Sequence, residues 1–239
     1  MDPSGYTTLT RQTGLMHEMQ TIANNIANAS TTGYRQEGVI FSEFVVGTEG
    51  GPSLSMARGN VRNTSYVQGN LTQTGGQLDF AIEGDGFFLV ETPDGERVTR
   101  AGSFSLSAAG DLVTLDGYNV LDAGGAPIFI PPDATAVNVG GDGTISADGQ
   151  LLGQLGVVQP LNPRDLIREG GVLFRPETPL EPAEDARVIQ GHVESSNVDT
   201  MLQVSRMVEV QRAYELGQSF LDAENERVRD AIRTFMRDQ

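Results

Sequence analysis

The side chains best suited to metal chemistry in this sequence are two histidines, and their spacing argues against a metal site. His17 and Glu18 begin like the helical His-Glu-x-x-His motif of zinc peptidases, but Thr21 stands where the second histidine is needed. A two-histidine site would need His192, the other histidine, from a distant part of the chain. We predict that His17 is an exposed helix residue and that the chain has no metal site.

The acidic residues between Asp142 and Asp148 resemble a calcium-binding loop in their spacing. The segment lacks the glycine at the sixth position and the distal glutamate that such a loop requires. Two successive Asp-Gly turns explain the same residues, because this pair supplies the positive φ angles of tight hairpin turns. We therefore expect turns here and no bound cation.

The amino-acid composition excludes several kinds of catalysis. The 239-residue chain has no cysteine and no lysine, so its 16 positive charges are all arginine. Thiol catalysis, disulfides, Schiff bases and phosphate-loop lysines are therefore excluded, and no serine lies in a nucleophile elbow. The 32 carboxylates could include a glycosidase pair, although a solvated acidic surface is the simpler interpretation. We expect no enzyme activity, no catalytic residues and no cofactor.

The net charge of the chain argues against some classes of binding partner. A net charge of −16 argues against nucleic acid or an anionic membrane. The acidity is concentrated in residues 64–197, where nineteen acids oppose six arginines, and both ends are close to neutral. No apolar run approaches the length that spans a bilayer, and Met1 to Thr13 lacks the apolar core of a secretory signal.

The spacing of apolar residues predicts two amphipathic helices, one at each end of the chain. The C-terminal helix, from Val198 to Phe235, has apolar or small residues at spacings of three and four, with Ser196 or Asn197 as its N-cap. The N-terminal helix starts with Asp2 as N-cap and ends near Ala29 or Ser30. A long helix with one apolar face needs a second helix to cover it, so we predict that the two helices pair.

The predicted contact face of this pair is also the predicted assembly interface. On the N-terminal helix, the stripe formed by Leu9, Met16, Met19, Ala23 and Ile26 is widened by Leu15, Ile22 and Ala27. On the C-terminal helix, Gly217 and Glu224 interrupt it. The predicted interface residues are Leu9, Met16, Met19, Ile22, Ile26, Met207, Val210, Tyr214, Leu221, Val228 and Phe235.

The centre of the chain has the pattern of a β domain. Short apolar runs with period two are separated by Asp-Gly pairs at 85–86, 94–95, 116–117, 142–143 and 148–149. We predict an α+β fold, with the terminal helices paired as a coiled-coil-like arm and a central, mainly β domain of short antiparallel strands. The expected divisions are an N-terminal helix (1–32), an extended or loop connector (33–68) with a Gly/Ser-rich loop at 47–59, the β domain (69–190) and the C-terminal helix (191–239).

Several short segments resemble the signature of the bacterial flagellar rod and hook proteins. Their order along the chain also matches that family, and together they cover nearly its whole length. The segments are 24–28 (NNIAN), 30–35 (STTGYR), 69–71 (GNL), 78–88 (LDFAIEGDGFF), 99–104 (TRAGSF), 195–198 (SSNV) and 211–215 (QRAYE). The motif residues that we single out are Asn24, Asn25, Asn28, Thr32, Gly33 and Tyr34.

This resemblance implies a non-enzymatic subunit of the flagellar rod in the periplasm, exported by the flagellar type III apparatus without a cleaved signal peptide. It implies as partners further copies of the chain and the rod proteins FlgB, FlgC and FlgG. The start of the chain, Tyr6 to Gln12, is similar to proximal-rod members. We also expect Tyr34 and Arg35 to contact a neighbouring subunit, unless they only form a turn.

Other functions remain open at this stage. A distal-rod, FlgG-like subunit is the nearest alternative. A peptidoglycan-acting enzyme would need two facing carboxylates. An adhesin-like β module with coiled-coil ends would form small closed oligomers instead of tubes.

Overall fold

The computed structural model of the chain describes the backbone of residues 3–46 and 54–237 and the side-chain environments of residues 7–40, 63–234 and 236. Asp2, predicted as an N-cap, and positions 47–53 of the predicted loop lie outside the described residues. The chain divides into two compact units. We call Met1–Ala27, Gln36–Ser65 and Val198–Gln239 the helical unit, and Asn28–Arg35 and Tyr66–Asn197 the β unit.

The helical unit contains two helices and one hairpin. Helix α1 spans Pro3–Ala27 and helix α2 spans Thr200–Arg237. Strands β1 (Glu37–Val46) and β2 (Leu54–Thr64) pair antiparallel and pack on α1. The two helices pack together, which confirms the predicted pairing of the chain ends.

The hairpin corrects one expectation, because residues 54–59 were predicted to belong to a loop. They instead form the first part of β2, with Met56 opposite Phe44 and Gly59 opposite Phe41. Glycine is depleted from strands by intrinsic propensity, but the antiparallel backbone ladder with β1 overrides that preference. The ladder also satisfies backbone groups that an isolated loop would leave to water.

The first turn of α2 corrects the predicted N-cap. Asp199 takes this role instead of Ser196 or Asn197, since the backbone N–H of Leu202 donates to Asp199 Oδ1 at 3.0 Å. A carboxylate at this position also interacts favourably with the helix dipole.

The β unit is built from short strands, as predicted. In chain order they are β3 (Leu71–Gln73), β4 (Phe80–Glu83), β5 (Phe87–Thr92), β6 (Gly95–Thr99), β7 (Phe104–Leu106), β8 (Leu112–Thr114), β9 (Asn119–Val120), β10 (Val137–Val139), β11 (Thr144–Ala147), β12 (Gln150–Gln154), β13 (Val157–Pro160), β14 (Leu166–Gly170), β15 (Leu173–Pro176), β16 (Leu180–Pro182), β17 (Arg187–Gln190) and β18 (His192–Glu194). Every strand pair in the described residues is antiparallel.

The strands form one large sheet and several small ones. The large sheet has the order β14-β15-β6-β5-β9-β8-β7, with β13 and β16 joined to it through β5. Strands β10-β11-β12 form a meander, and β17 pairs with β4 and β18 with β3. Two apolar clusters fill the unit, one around Phe80, Phe88 and Ile145 and one around Phe87 and Phe174. The last strands therefore return to the first ones, which closes the unit between residues 66 and 197.

The Asp-Gly pairs behave largely as predicted. Gly117, Gly143 and Gly149 have positive φ and lie in turns between strands that pair with each other, and Gly95, also with positive φ, is the first residue of β6 directly after such a turn. Gly86 also has positive φ, at 143°, but connects β4 to β5, which belong to different sheets. The dipeptide therefore identified the turn at each position, whereas strand pairing depended on contacts distant in sequence.

Neither described helix combines the length and the apolarity that crossing a bilayer would require.

Candidate assembly interface and buried ion cluster

The contact face between α1 and α2 has a small apolar core. Its members are Leu15, Met19, Ile22, Ile26, Met207, Val210, Ala213 and Tyr214, of which Leu15, Ile22 and Val210 are buried. Two polar contacts between α1 and α2 show that the helices run antiparallel. Glu18 lies opposite Arg206, and Gln12 donates from Nε2 to the carbonyl of Tyr214 at 2.9 Å.

The predicted interface residues divide between this core and the surface. Met19, Ile22, Ile26, Met207, Val210 and Tyr214 belong to the core. The other residues lie elsewhere: Leu9, Met16 and Val228 are about half exposed, Leu221 is partly buried, and the Phe235 side chain is outside the described residues.

The N-terminal helix therefore has two apolar stripes instead of one. The stripe around Leu15 and Ile22 faces α2, whereas Leu9 (53% exposed), Met16 (51%) and Ala23 recur every seven residues on an exposed face. Seven residues are close to two helical turns, so these three lie on one line along the helix. Nothing in the helical unit as described covers that line.

Polar groups fix the register of the helical unit. Asn25 is 1% exposed, donates to the carbonyl of Glu37 at 2.7 Å and accepts from its N–H at 2.9 Å. It also donates to Gln203 Oε1 at 3.2 Å. One motif asparagine thus joins α1 to both β1 and α2, which a buried amide can do only when its partners are correctly placed. Asn24, by contrast, lies on the exposed face of α1.

An ion pair and a close approach complete the helix contact. Glu18 accepts from Arg206 at 2.7 Å, and this hydrogen bond raises the pKa of the Arg206 guanidinium. Near the other end, a Cβ on Gly217 would lie 2.4 Å from Gln12 Nε2. Gly217, which the sequence pattern treated as an interruption, is therefore where the helices come close enough for the Gln12 amide to reach the α2 backbone.

The β unit contains a buried ion cluster centred on Glu194. Its carboxylate accepts from Arg100 Nε at 2.5 Å and pairs with Arg35 Nη2 at 3.1 Å, and the three side chains are 1–4% exposed. The N–H of Gly69 donates to the same carboxylate at 3.0 Å. Burial lowers the pKa of the Arg35 guanidinium, which the charge of Glu194 opposes and that of Arg100 reinforces.

Backbone carbonyls satisfy the remaining guanidinium donors of Arg100. It donates to the carbonyl oxygens of Ile82 at 2.8 Å and Gly84 at 2.6 Å, and also to that of Gly86. These acceptors belong to the 78–88 segment, and Arg100 to the 99–104 segment. Two segments distant in sequence are thus joined by one side chain, and periodicity could not have identified that contact.

The Thr-Thr-Gly-Tyr-Arg turn is held in the same cluster. Gly33 donates its N–H to the carbonyl of Glu194 at 2.7 Å and has a φ of 70°. The Tyr34 ring is buried, with the Arg168 guanidinium 4.5 Å from its centre. Asn28 caps the start of the turn, accepting from Thr31 Oγ1 at 3.2 Å, and Thr32 is partly buried beside it.

This geometry corrects the expectation that Tyr34 and Arg35 contact a neighbouring subunit. Both are 3% exposed, and both are surrounded by the chain's own residues. Arg35 also donates to the backbone carbonyls of Tyr66 and Val67. The two side chains hold the β unit together and are not part of an exposed surface.

The carboxylates with calcium-loop spacing, Asp142 and Asp148, accept hydrogen bonds from neighbouring residues. Asp142 accepts from the N–H and hydroxyl of Thr144, and Asp148 accepts from Thr135 and Ala136, and these hydrogen bonds lower the pKa of each carboxyl. His17 is exposed on α1. Within the described part of the chain, no three histidine or acidic side chains come together as a metal site.

Comparison with known proteins places this architecture in a family. The family model described as "Flagella basal body rod protein" matches residues 6–35, "Flagellar hook protein FlgE/F/G D1 domain" matches 81–147, and "Flagellar basal body rod FlgEFG protein C-terminal" matches 189–234. The flagellar basal-body rod protein FlgG of Bacillus subtilis is 32% identical over 243 residues, covering 90% of this chain and 92% of its own. The chain belongs to the family of flagellar hook and basal-body rod proteins.

Relatives named FlgF are more similar still. FlgF of Caulobacter vibrioides is 38% identical over 243 residues, which cover 97% of both chains. FlgF of Mesorhizobium japonicum is 39% identical over 218 residues, which cover 90% of both. Within the family, the similarity therefore favours FlgF over FlgG.

Proposed function

We propose that this chain is a structural, FlgF-type subunit of the flagellar basal-body rod, at its proximal end. The observation that carries the proposal is similarity to FlgF proteins across 97% of the chain, including both helices and the β unit. Its role is mechanical, as part of a drive shaft that transmits torque and lines the export channel.

The helical unit has the surface that such an assembly requires. Large apolar side chains remain exposed on both helices, among them Leu9 and Met16 on α1 and Met201 (80% exposed) and Leu216 (72%) on α2. Exposed apolar faces of this kind mark contact surfaces for other proteins. Contacts between different surfaces of identical subunits do not close on themselves and build helical tubes.

The proposal extends to partners and location. The partners are further copies of the chain and the rod proteins FlgB, FlgC and FlgG. The chain reaches the periplasm through the flagellar type III export apparatus, without a cleaved signal peptide. A chain without cysteine needs no disulfide to fold after export, which suits this route.

Genetic replacement tests this proposal. Deletion of the gene should abolish motility and rod completion, and the wild-type chain should restore both. Leu221→Asp should restore neither, since it places a charge in the apolar face of α2. Its matched control, Asp222→Asn on the exposed face, should behave as wild type. Motile cells without the chain, or clearing of purified cell wall by it in a turbidity assay, would contradict a structural role.

A further inference from the structure

The β unit has a groove on its surface, formed where several of its turns meet strand β6. Two adjoining hollows make up the groove, one of about 370 Å³ and one of about 530 Å³. Each is within the volume range of small-molecule binding sites, about 300–1,000 Å³. The hollows are continuous, because four residues of the β unit line both of them: Thr31, Asp116, Val172 and Leu173.

One wall of the groove is apolar. Leu115, in the turn between β8 and β9, is 79% exposed, and Val172 and Leu173, where β15 begins, are partly buried. A single exposed leucine needs no explanation, but these three side chains line one hollow together. A ligand with an apolar face would remove this surface from water, which is favourable.

Two carboxylates at the groove are available as acceptors. Asp116 lines both hollows, and Asp94, in the turn between β5 and β6, lines the larger one. Both residues are exposed, and neither carboxylate forms an ion pair or a hydrogen bond within the described part of the chain. Glu169 also lines the larger hollow, but its carboxylate is already occupied, since it pairs with Arg97 and Arg175 at 2.6 Å each.

A nearly buried guanidinium adds a donor to the groove. Arg97, on β6, is 7% exposed and lines the larger hollow. Its Nε donates to Glu169 at 2.6 Å, and its Nη1 donates to the backbone carbonyls of Asp94 at 3.2 Å and Glu96 at 2.8 Å. Its Nη2 has no acceptor among the described residues. Polar groups this far from water are normally hydrogen-bonded, so the unused donor points to a ligand that carries an acceptor.

These groups together restrict the class of ligand. A cation has no acceptor for Arg97 and would lie beside its positive charge. An anion would be repelled by Asp94 and Asp116, and by residues 64–197 as a whole, where nineteen acids oppose six arginines. A neutral sugar satisfies both kinds of group, since each hydroxyl can donate and accept a hydrogen bond and one side of the ring is a face of C–H groups.

We propose that this groove binds a neutral oligosaccharide. One sugar ring packs its C–H face on Leu115 and Val172. Hydroxyls of the sugar donate to Asp116 and Asp94, and a sugar oxygen accepts from Arg97 Nη2. The inference adds a binding activity to the β unit and does not rest on the proposed function, since all of these residues lie outside the helical unit.

Solution NMR of the full-length chain tests this site. The probes are β-1,4-linked tetramers of N-acetylglucosamine and of glucose, both neutral, which are titrated separately while the amide shifts of the protein are followed. We expect saturable binding with a Kd in the millimolar range, unchanged by added salt because the ligand carries no charge. The tetramer that binds more tightly identifies the preferred sugar.

Matched substitutions locate the binding. Asp116→Ala and Leu115→Ser should each weaken binding about tenfold, because each removes one of the contacts to the sugar. Asp133→Ala and Leu151→Ser, at exposed positions outside the groove, should leave the Kd within about twofold of wild type. All four positions are exposed, so the variants should fold like wild type, which their amide spectra without ligand verify.

Three results would overturn the inference. They are the absence of any shift with either tetramer, equal weakening by the groove and control substitutions, and binding of a cation such as N-acetyl-arginine amide in place of the sugars. None of these results bears on the proposed function, which is tested separately by rod completion and motility.

Discussion

At the scale of single residues, the molecule depends most on Glu194. One carboxylate there neutralises one of two buried guanidinium groups and binds a backbone N–H. Buried charges are tolerated only when they are paired and fully hydrogen-bonded. The cluster therefore fixes where Arg35, Arg100 and the Gly33 turn lie, at the cost of making each of them hard to replace.

Replacing Glu194 by glutamine should destabilise the β unit strongly. The amide keeps the size of the side chain but leaves two buried cations without a counter-charge, which costs about 3–5 kcal/mol when one partner of a buried pair is lost. Urea unfolding followed by tyrosine fluorescence measures this, since the chain has no tryptophan. The exposed Glu181→Gln should stay within about 0.5 kcal/mol of wild type. Equal stability of the two variants would show that the cluster contributes little.

Alanine substitutions at two glycines with nearly the same φ distinguish the cost of backbone strain from the cost of steric overlap. Gly33 has φ 70° and Gly75 has φ 74°. A Cβ at Gly75 would meet nothing within 4 Å, whereas at Gly33 it would lie 2.2 Å from the backbone nitrogen of Ala101.

Alanine at Gly75 should therefore cost only the left-handed conformation, about 1–2 kcal/mol. Alanine at Gly33 should cost more than about 3 kcal/mol, because backbone must move to remove the overlap. Thermal unfolding of both variants under the same conditions makes the comparison. A Gly33→Ala protein as stable as Gly75→Ala would mean that the turn can shift away from Ala101.

At the scale of elements, hydrophobic spacing predicted the two helices and their pairing but not which stripe is covered. Leu9 and Met16 are as apolar as Leu15 and Ile22, and both sets have helical spacing. Only the second set faces α2, because the contact face is set by Asn25, Gln12 and the close approach at Gly217, which are polar or small. A pattern of apolar residues carries no information about such groups.

Val210 and Val208 test the assigned contact face. Val210 is 2% exposed in the helix contact, while Val208 is 42% exposed. Val210→Ala should lower the free energy of unfolding of the helical unit by about 2 kcal/mol, whereas Val208→Ala should change it by less than about 0.5 kcal/mol. Circular dichroism at the helix band during urea unfolding reports both. Similar losses at the two positions would mean that the covered face is wrongly assigned.

At the scale of the whole molecule, the division into two units explains how much could be predicted. The β unit begins and ends within its own sheets, with β17 on β4 and β18 on β3. Asp-Gly pairs predicted its turns because the signal is local. The contacts among Arg35, Arg100 and Glu194 were missed because residues far apart in sequence make them, although their positions in or beside motif segments were a usable hint.

Removal of Val198–Gln239 should leave the β unit folded. Its two core clusters contain no residue of the deleted segment. We expect the truncated chain to keep the tyrosine-monitored unfolding transition of the full chain and to be absent from isolated rods. Loss of that transition on truncation would show that the β unit depends on α2 for its stability.

Electron cryo-microscopy of isolated basal bodies, with this chain fitted into the proximal rod, tests most directly whether the helical unit builds the rod. We expect α1 and α2 of each copy to form the inner wall of the rod and to contact the helices of neighbouring subunits. Density that places the β unit on the channel, or a complete rod that contains no copy of the chain, would contradict it.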